Sequence, residues 1–235
     1  MGVCDPGNRV DASGLAFKGS MLQVQLYTNH FSGEFGAAIA ASGLNEELTV
    51  EWVSPVEDDG YREYQDESFL KQLGLGVHSE DLARFWPRGG PCWDALGIWH
   101  HESASGPVLV EAKSYPKEAF STLAARSARS LGSIGSALER TASWLGVASL
   151  PSSWTEGRYQ AANRLAHLFF LREVCGVEAR LLFVCVVNDP THIQTSESAW
   201  VFANERLWFD LELDGPPAHT SVIFVPGRLR PIGRI

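Results

Sequence analysis

Residues 92–114 read CWDALGIWHHESASGPVLVEAKS, and the reading of this stretch decides the fold. Two apolar runs flank a polar, glycine-containing segment, the pattern of two strands joined by a turn. Three charges stand inside the runs. Asp94 follows a tryptophan on the first, and Glu111 and Lys113 flank Ala112 on the second. A lone charge in an apolar strand costs several kcal/mol unless it is paired or binds something. Side chains alternate across a strand, so Leu109, Glu111 and Lys113 share one face while Val108, Val110 and Ala112 share the other. Asp94 lies on the same face as Leu96 and Ile98. Pairing of the two runs therefore brings two carboxylates and an ammonium together.

On the N-terminal side, residues 48–54 (LTVEWVS) alternate and carry β-branched residues, which predicts a strand. Small residues after Ser32 and a stop at Gly43 predict a helix over 33–42. MLQVQLYT (21–28) alternates apolar and polar and reads as a short strand or lead-in. Residues 1–20 lack the apolar centre of a signal peptide and read as a flexible leader or a non-native junction. The acidic stretch 55–67 (PVEDDGYREYQDE) reads as a solvated loop, followed by two short helices and a PRGGP break.

On the C-terminal side, residues 117–147 have helical period, with Gly132 and Gly135 as possible interruptions. The strongest helix signal is EGRYQAANRLAHLFFLREVCG, closed by Gly176 in the C-terminal glycine position. ARLLFVCVVND follows as a near-continuous apolar run, the mark of a strand buried on both faces. ERLWFDLELDG and SVIFVPG read as two further strands. The order predicts one α/β domain over 21–235, a mixed central sheet flanked by helices.

The 235 residues are 45% hydrophobic and 20% charged, ordinary for a soluble globular chain. Nineteen Lys and Arg against 28 Asp and Glu give a net charge of −9, a field that does not attract nucleic acid without a local basic patch. Cys4, Cys92, Cys175 and Cys185 form no C-x-x-C, so reduced thiols in a cytoplasmic protein are expected rather than a zinc site or disulfide framework. No apolar run approaches the length of a membrane span.

Two carboxylates and a lysine suit metal-assisted phosphodiester hydrolysis. Mg²⁺ takes hard oxygen ligands, one or two carboxylates plus waters and phosphate. The metal polarises the phosphoryl oxygen and activates water, and an adjacent ammonium steadies developing negative charge. Asp94, a hairpin turn, then Glu111-Ala112-Lys113 on an apolar strand resembles the PD-(D/E)XK nuclease superfamily, whose motif lies on the second and third strands of an αβββαβ core. Trp93 stands where the pattern has proline. The resemblance covers about residues 30–190. It implies a restriction-endonuclease-like fold and Mg²⁺ (or Mn²⁺) held by Asp94 and Glu111, with Lys113 as the catalytic lysine. It further implies Glu34 as an additional metal ligand from the first core helix, Gln160 as a helper from the later helix, and DNA rather than RNA as substrate.

Each residue also has an ordinary reading. Glu111 and Lys113 form a same-face ion pair on a partly exposed strand, and exposed pairs contribute little. Asp94 is a turn or cap acid, and Glu34 answers a helix macrodipole. Gln160, Asn163, Arg164 and His167 form one helical stripe, either solvated or facing phosphate. His100 and His101 point to opposite faces and read as solvent-exposed, and the eight tryptophans read as anchors rather than base platforms. Arg228, Arg230 and Arg234 form a basic tail that is solvated or touches phosphate. The competing functions are a catalytically inactive nuclease-like binding module and an unrelated α/β protein. A homodimer or a targeting partner would supply the DNA reading that an acidic chain lacks.

Overall fold

The apolar run ahead of Asn188 forms the strand around which the sheet is built. In the computed structural model, which describes residues 2–44 and 48–230, that run is the sixth strand of the chain. The elements are α1 (Gly19–Asn29), α2 (Ser32–Ile39), β1 (Thr49–Ser54), α3 (Asp66–Gln72), α4 (Ser79–Phe85), β2 (Ala95–His101) and β3 (Ala104–Lys113). After them come β4 (Ser121–Thr122), α5 (Ala128–Trp144), β5 (Glu156–Gly157), α6 (Tyr159–Phe169), β6 (Arg180–Val187), α7 (Glu197–Asp210) and β7 (Thr220–Pro226). The five-stranded sheet has the order β1-β2-β3-β6-β7, and β4 pairs with β5 apart from it. β1, β2 and β3 are an antiparallel meander, while β6 runs parallel to both β3 and β7. The protein is thus α/β, with a mixed central sheet flanked by helices.

Alternation along the strands builds two cores. Leu96, Leu109, Leu181 and Phe183 pack beneath the layer containing α3 to α7. Ala95, Val108, Val110, Ala112, Leu182 and Val184 pack against Val24 and Tyr27 of α1 and Phe35 and Ile39 of α2. β6 feeds both layers, which is why its sequence shows no alternation.

Several expectations are corrected. MLQVQLYT is helical: Met21 to Thr28 of α1 are all buried, so no polar face marks the period. Its glutamines are paired at long range. Gln23 Nε2 donates to Asp189 Oδ1 and to the Arg228 carbonyl, and Gln25 Oε1 accepts from Ala16 N. ERLWFDLELDG is not a strand either; residues 205–210 finish α7, whose N-terminus is capped by Ser196 through Ala199 N. The long helix expected over 117–147 is confined to α5, capped by Ser127.

The expected leader is part of the fold. Val3 bridges Tyr64, which bridges Trp93, and Cys4 N donates to the Glu63 carbonyl at 2.9 Å. Cys4 and Cys92 form a disulfide across 88 residues, which corrects the expectation of reduced thiols for that pair; Cys175 and Cys185 are free. These bonds also draw Tyr61, Glu63 and Tyr64 into the interior, so 55–67 is not a solvated loop. No helix among the described residues is long and apolar enough to cross a membrane.

Candidate active site

The β2–β3 register places the three charges of the hairpin. Leu96 pairs with Leu109 and Ala95 with Val110, so Asp94, one residue before β2, faces Glu111. Asp94 Oδ2 accepts from Ala112 N at 2.7 Å, which fixes the carboxylate against β3. Glu111 is 2% exposed. One of its oxygens is bonded by Lys113 Nζ, and the other accepts from Arg164 Nε at 2.6 Å.

Arg164 supplies what a buried Glu111 requires. It stands in the second turn of α6, with its guanidinium 5.0 Å from the centre of the Trp93 ring. Nη2 donates to the Cys92 carbonyl at 2.9 Å and Nη1 to Asn163 Oδ1 at 2.7 Å. One side chain therefore ties α6, β3 and the entry to β2 together. The helical stripe is accordingly buried rather than solvated. Asn163, Arg164 and His167 are each under 10% exposed, and His167 packs against Phe69, Phe85, Trp86 and Trp93.

Asp94 and Lys113 line a cleft of about 680 Å³, with Glu63, Gln160 and Arg164 around them and Cys4 and Arg9 of the N-terminal segment at one wall. Gln160 lies in the first turn of α6, where its backbone N–H donates to Ser121 Oγ at 2.7 Å. Glu118 lines the same cleft and accepts from Ser114 N at 2.6 Å. Burial pushes the Glu63 carboxyl up to about 8, with the charges of Asp94 and Glu111 adding to it. Asp94 rises to about 6, first through burial and then through Glu111, with Lys113 opposing. Burial pushes Glu111 up as well, but Arg164 and Lys113 outweigh it and hold the carboxyl below its ordinary value. Lys113 is raised: burial opposes its charge, and Glu111 and Asp94 prevail. At neutral pH the cleft thus holds Asp94 and Glu111 ionised against Lys113 and Arg164, with a proton on Glu63.

The structure brings together Asp94, Glu111, Lys113 and Gln160. It does not bring Glu34. Glu34 lies on α2, the layer packed on the opposite face of the sheet, and ion-pairs with Arg228. The third carboxyl at this site is Glu63, which the sequence reading passed over inside an acidic stretch. Its signal was the Tyr61–Tyr64 pair around it, large aromatics out of place in a solvated loop. Of the basic tail, Arg228 pairs with Glu34 and Arg230 with Asp11, away from the cleft, and Arg234 lies outside the described residues. Six tryptophans are buried, as anchors would be. The chain matches no protein-family model, no curated protein and no solved structure.

Proposed function

We propose that the cleft is the active site of a metal-dependent phosphodiesterase of the PD-(D/E)XK type, a nuclease with DNA as its first candidate substrate. The observation that carries this reading is the convergence of Asp94, Glu111 and Lys113 across a paired hairpin, with Asp94 and Lys113 at the wall of one cleft and Glu111 buried behind them. The connectivity supports it: a helix, a three-strand antiparallel meander, a helix, and a strand parallel to the third. That is the order αβββαβ with the motif on the second and third strands.

The donor set fits a hard divalent cation. Asp94 has a second oxygen beside the one held by Ala112 N, Glu111 stands opposite, and Glu63 adds a third carboxyl. All are oxygen donors of the kind Mg²⁺ or Mn²⁺ takes. Such an ion supplies Lewis acidity toward a phosphoryl oxygen. Arg164 holds Glu111 in place, so the carboxylate needs no reorganisation. Lys113 is charged at neutral pH and orients the attacking water or stabilises charge on the phosphoryl group. Gln160 faces the same space and orders polar groups there.

A second reading, a non-catalytic binding module on this fold, is favoured by one observation: the cations at the site are already spent on Glu111. Cleavage of single- and double-stranded DNA and of RNA, with Mg²⁺ or Mn²⁺, separates the two. Wild-type cleavage that falls by at least 10²-fold in Lys113→Ala supports the nuclease, an effect of the size seen when a charge-stabilising donor is removed. Cleavage unchanged in Lys113→Ala removes this mechanism, and no cleavage of any substrate leaves the binding module. A chain of net charge −9 gains its substrate through a partner subunit or targeting protein on this reading; a monomer that cleaves unaided contradicts that part.

A further inference from the structure

Glu63 is 8% exposed, and among the described residues it forms no ion pair. Among the described residues, the one hydrogen-bond-range contact of its carboxyl group is Cys92 Sγ, 3.3 Å from Oε2. A disulfide sulfur offers neither a proton nor a charge. Arg9, a cation of the N-terminal segment that acts on Glu63, gives its Nε to the Pro6 carbonyl. A buried carboxyl whose polar neighbour is a sulfur is costly to ionise as it stands. It is well placed for a cation that binds sulfur and oxygen together.

We propose that Cys4, Cys92 and Glu63 form a binding site for Zn²⁺, or a similarly thiophilic divalent ion, that exists when the Cys4–Cys92 disulfide is reduced. One ligand atom from each residue lies within 4.8 Å of the other two. Tetrahedral zinc, with Zn–S of about 2.3 Å and Zn–O of about 2.0 Å, sets its ligand atoms about 3.3–3.8 Å apart. Small side-chain shifts therefore suffice.

The ligands do not depend on the disulfide for their places. Cys4 N bonds the Glu63 carbonyl, Trp93 N bonds the Tyr64 carbonyl at 3.1 Å, and the Cys92 carbonyl accepts from Arg164. Three segments distant in sequence stay laced through their backbones after reduction. All three residues line the cleft, so the fourth coordination position opens to water there, the arrangement of zinc sites with three protein ligands.

The chemistry balances with a dithiol as reductant. The dithiol gives two electrons and two protons to the Cys4–Cys92 bond and leaves as a cyclic disulfide. The two thiols and the Glu63 carboxyl then release their protons to solvent as the metal binds the two thiolates and the carboxylate. A disulfide oxidant reverses this by exchange, taking up two electrons and two protons to become a dithiol, and the metal is expelled. Glu63 is the one residue shared with the proposed Mg²⁺ set, while Cys4 and Cys92 take no part in it, so Cys4→Ser tests this site and Asp94→Asn the nuclease.

The test uses the full chain, reduced with a dithiol under anaerobic conditions, with Co²⁺ as the spectroscopic probe and Zn²⁺ as competitor. One equivalent of Co²⁺ is expected to give the intense near-ultraviolet absorption of thiolate-to-cobalt charge transfer, and Zn²⁺ to abolish it. The band is expected to be absent from the oxidised chain and from Cys4→Ser. Glu63→Gln is expected to weaken Co²⁺ binding at least tenfold. Asp94→Asn and Cys175→Ser retain the band. Circular dichroism of Cys4→Ser matching the wild type excludes unfolding as the cause of its loss. No band in the reduced wild type overturns the proposal, as does a band that survives Cys4→Ser. Absent cleavage beside an intact band would refute only the nuclease.

Discussion

Arg164 shows how much one side chain can decide. Glu111 is buried between β3 and α6, and each of its oxygens has a cationic donor, Lys113 on one and Arg164 on the other. Removing one partner of a buried ion pair costs about 3–5 kcal/mol, whereas replacing the whole pair with apolar groups is often neutral. Arg164→Met is therefore expected to destabilise the protein by about that amount, read as a lower urea midpoint at unchanged slope. Adding Glu111→Leu is expected to restore most of it, and a double variant no more stable than Arg164→Met would contradict the pairing. At this scale the sequence was legible where spacing alone decides the geometry. Glu111 and Lys113 share a face because they are two apart, and Asp94 meets them because strands alternate. Glu63 and Glu34 were misjudged because their surroundings depend on contacts across the fold: Tyr64 is drawn to Val3 and Trp93, and α2 is assigned to the far face of the sheet.

Elements were legible where one face differs from the other. β2, β3 and α6 each carry an asymmetric pattern, and β6 declares itself by length and apolarity. α1 has no such asymmetry, since its glutamines are buried and satisfied by Asp189, Ala16 and the Arg228 backbone, residues remote in sequence. The hairpin itself has a tight spot that composition hides. Gly106, near the start of β3, pairs with Trp99, and a Cβ there would lie 2.3 Å from the Glu178 carbonyl oxygen and 2.8 Å from Trp99 Nε1. Trp99 Nε1 donates to that same carbonyl at 2.7 Å, so neither atom can yield without losing the bond. Overpacking of this kind typically costs about 1–3 kcal/mol. Gly106→Ala is expected in that range by denaturant unfolding, with altered Trp fluorescence. Gly132→Ala in α5 meets nothing and is expected to stabilise by about 0.5–1 kcal/mol.

For the whole molecule, three groups shifted chiefly by burial pull the pH dependence of stability in opposite directions. Glu63 and Asp94 are raised, to about 8 and about 6, chiefly by burial. His167 is lowered to about 3, again by burial first. A raised carboxyl binds its proton in the native state where the unfolded chain has lost it. Its contribution is present below the unfolded value, 4.5 for Glu63 and 3.8 for Asp94, and is lost as pH rises through the folded one. A lowered imidazole does the reverse: the unfolded chain takes up the proton first, so its contribution is present above 6.5 and is lost as pH falls toward 3. Between about 4.5 and 6 the two carboxyls outnumber His167, and the net contribution of these three groups declines as pH rises. From 6.5 to 8 Glu63 alone of the three titrates differently in the two states. At 1.36 kcal/mol per pH unit for one proton, that interval costs about 2 kcal/mol. Urea unfolding of the oxidised chain with a chelator present keeps metal binding out of the comparison. Wild type is expected to lose stability from pH 6.5 to 8, and Glu63→Gln to flatten that slope. His167→Phe is expected to leave the slope above 6.5 intact and to steepen the decline from 4.5 to 6, because the opposing proton uptake by the unfolded chain is gone. A Glu63→Gln curve parallel to wild type above 6.5 would mean that Glu63 does not carry its proton into the folded cleft.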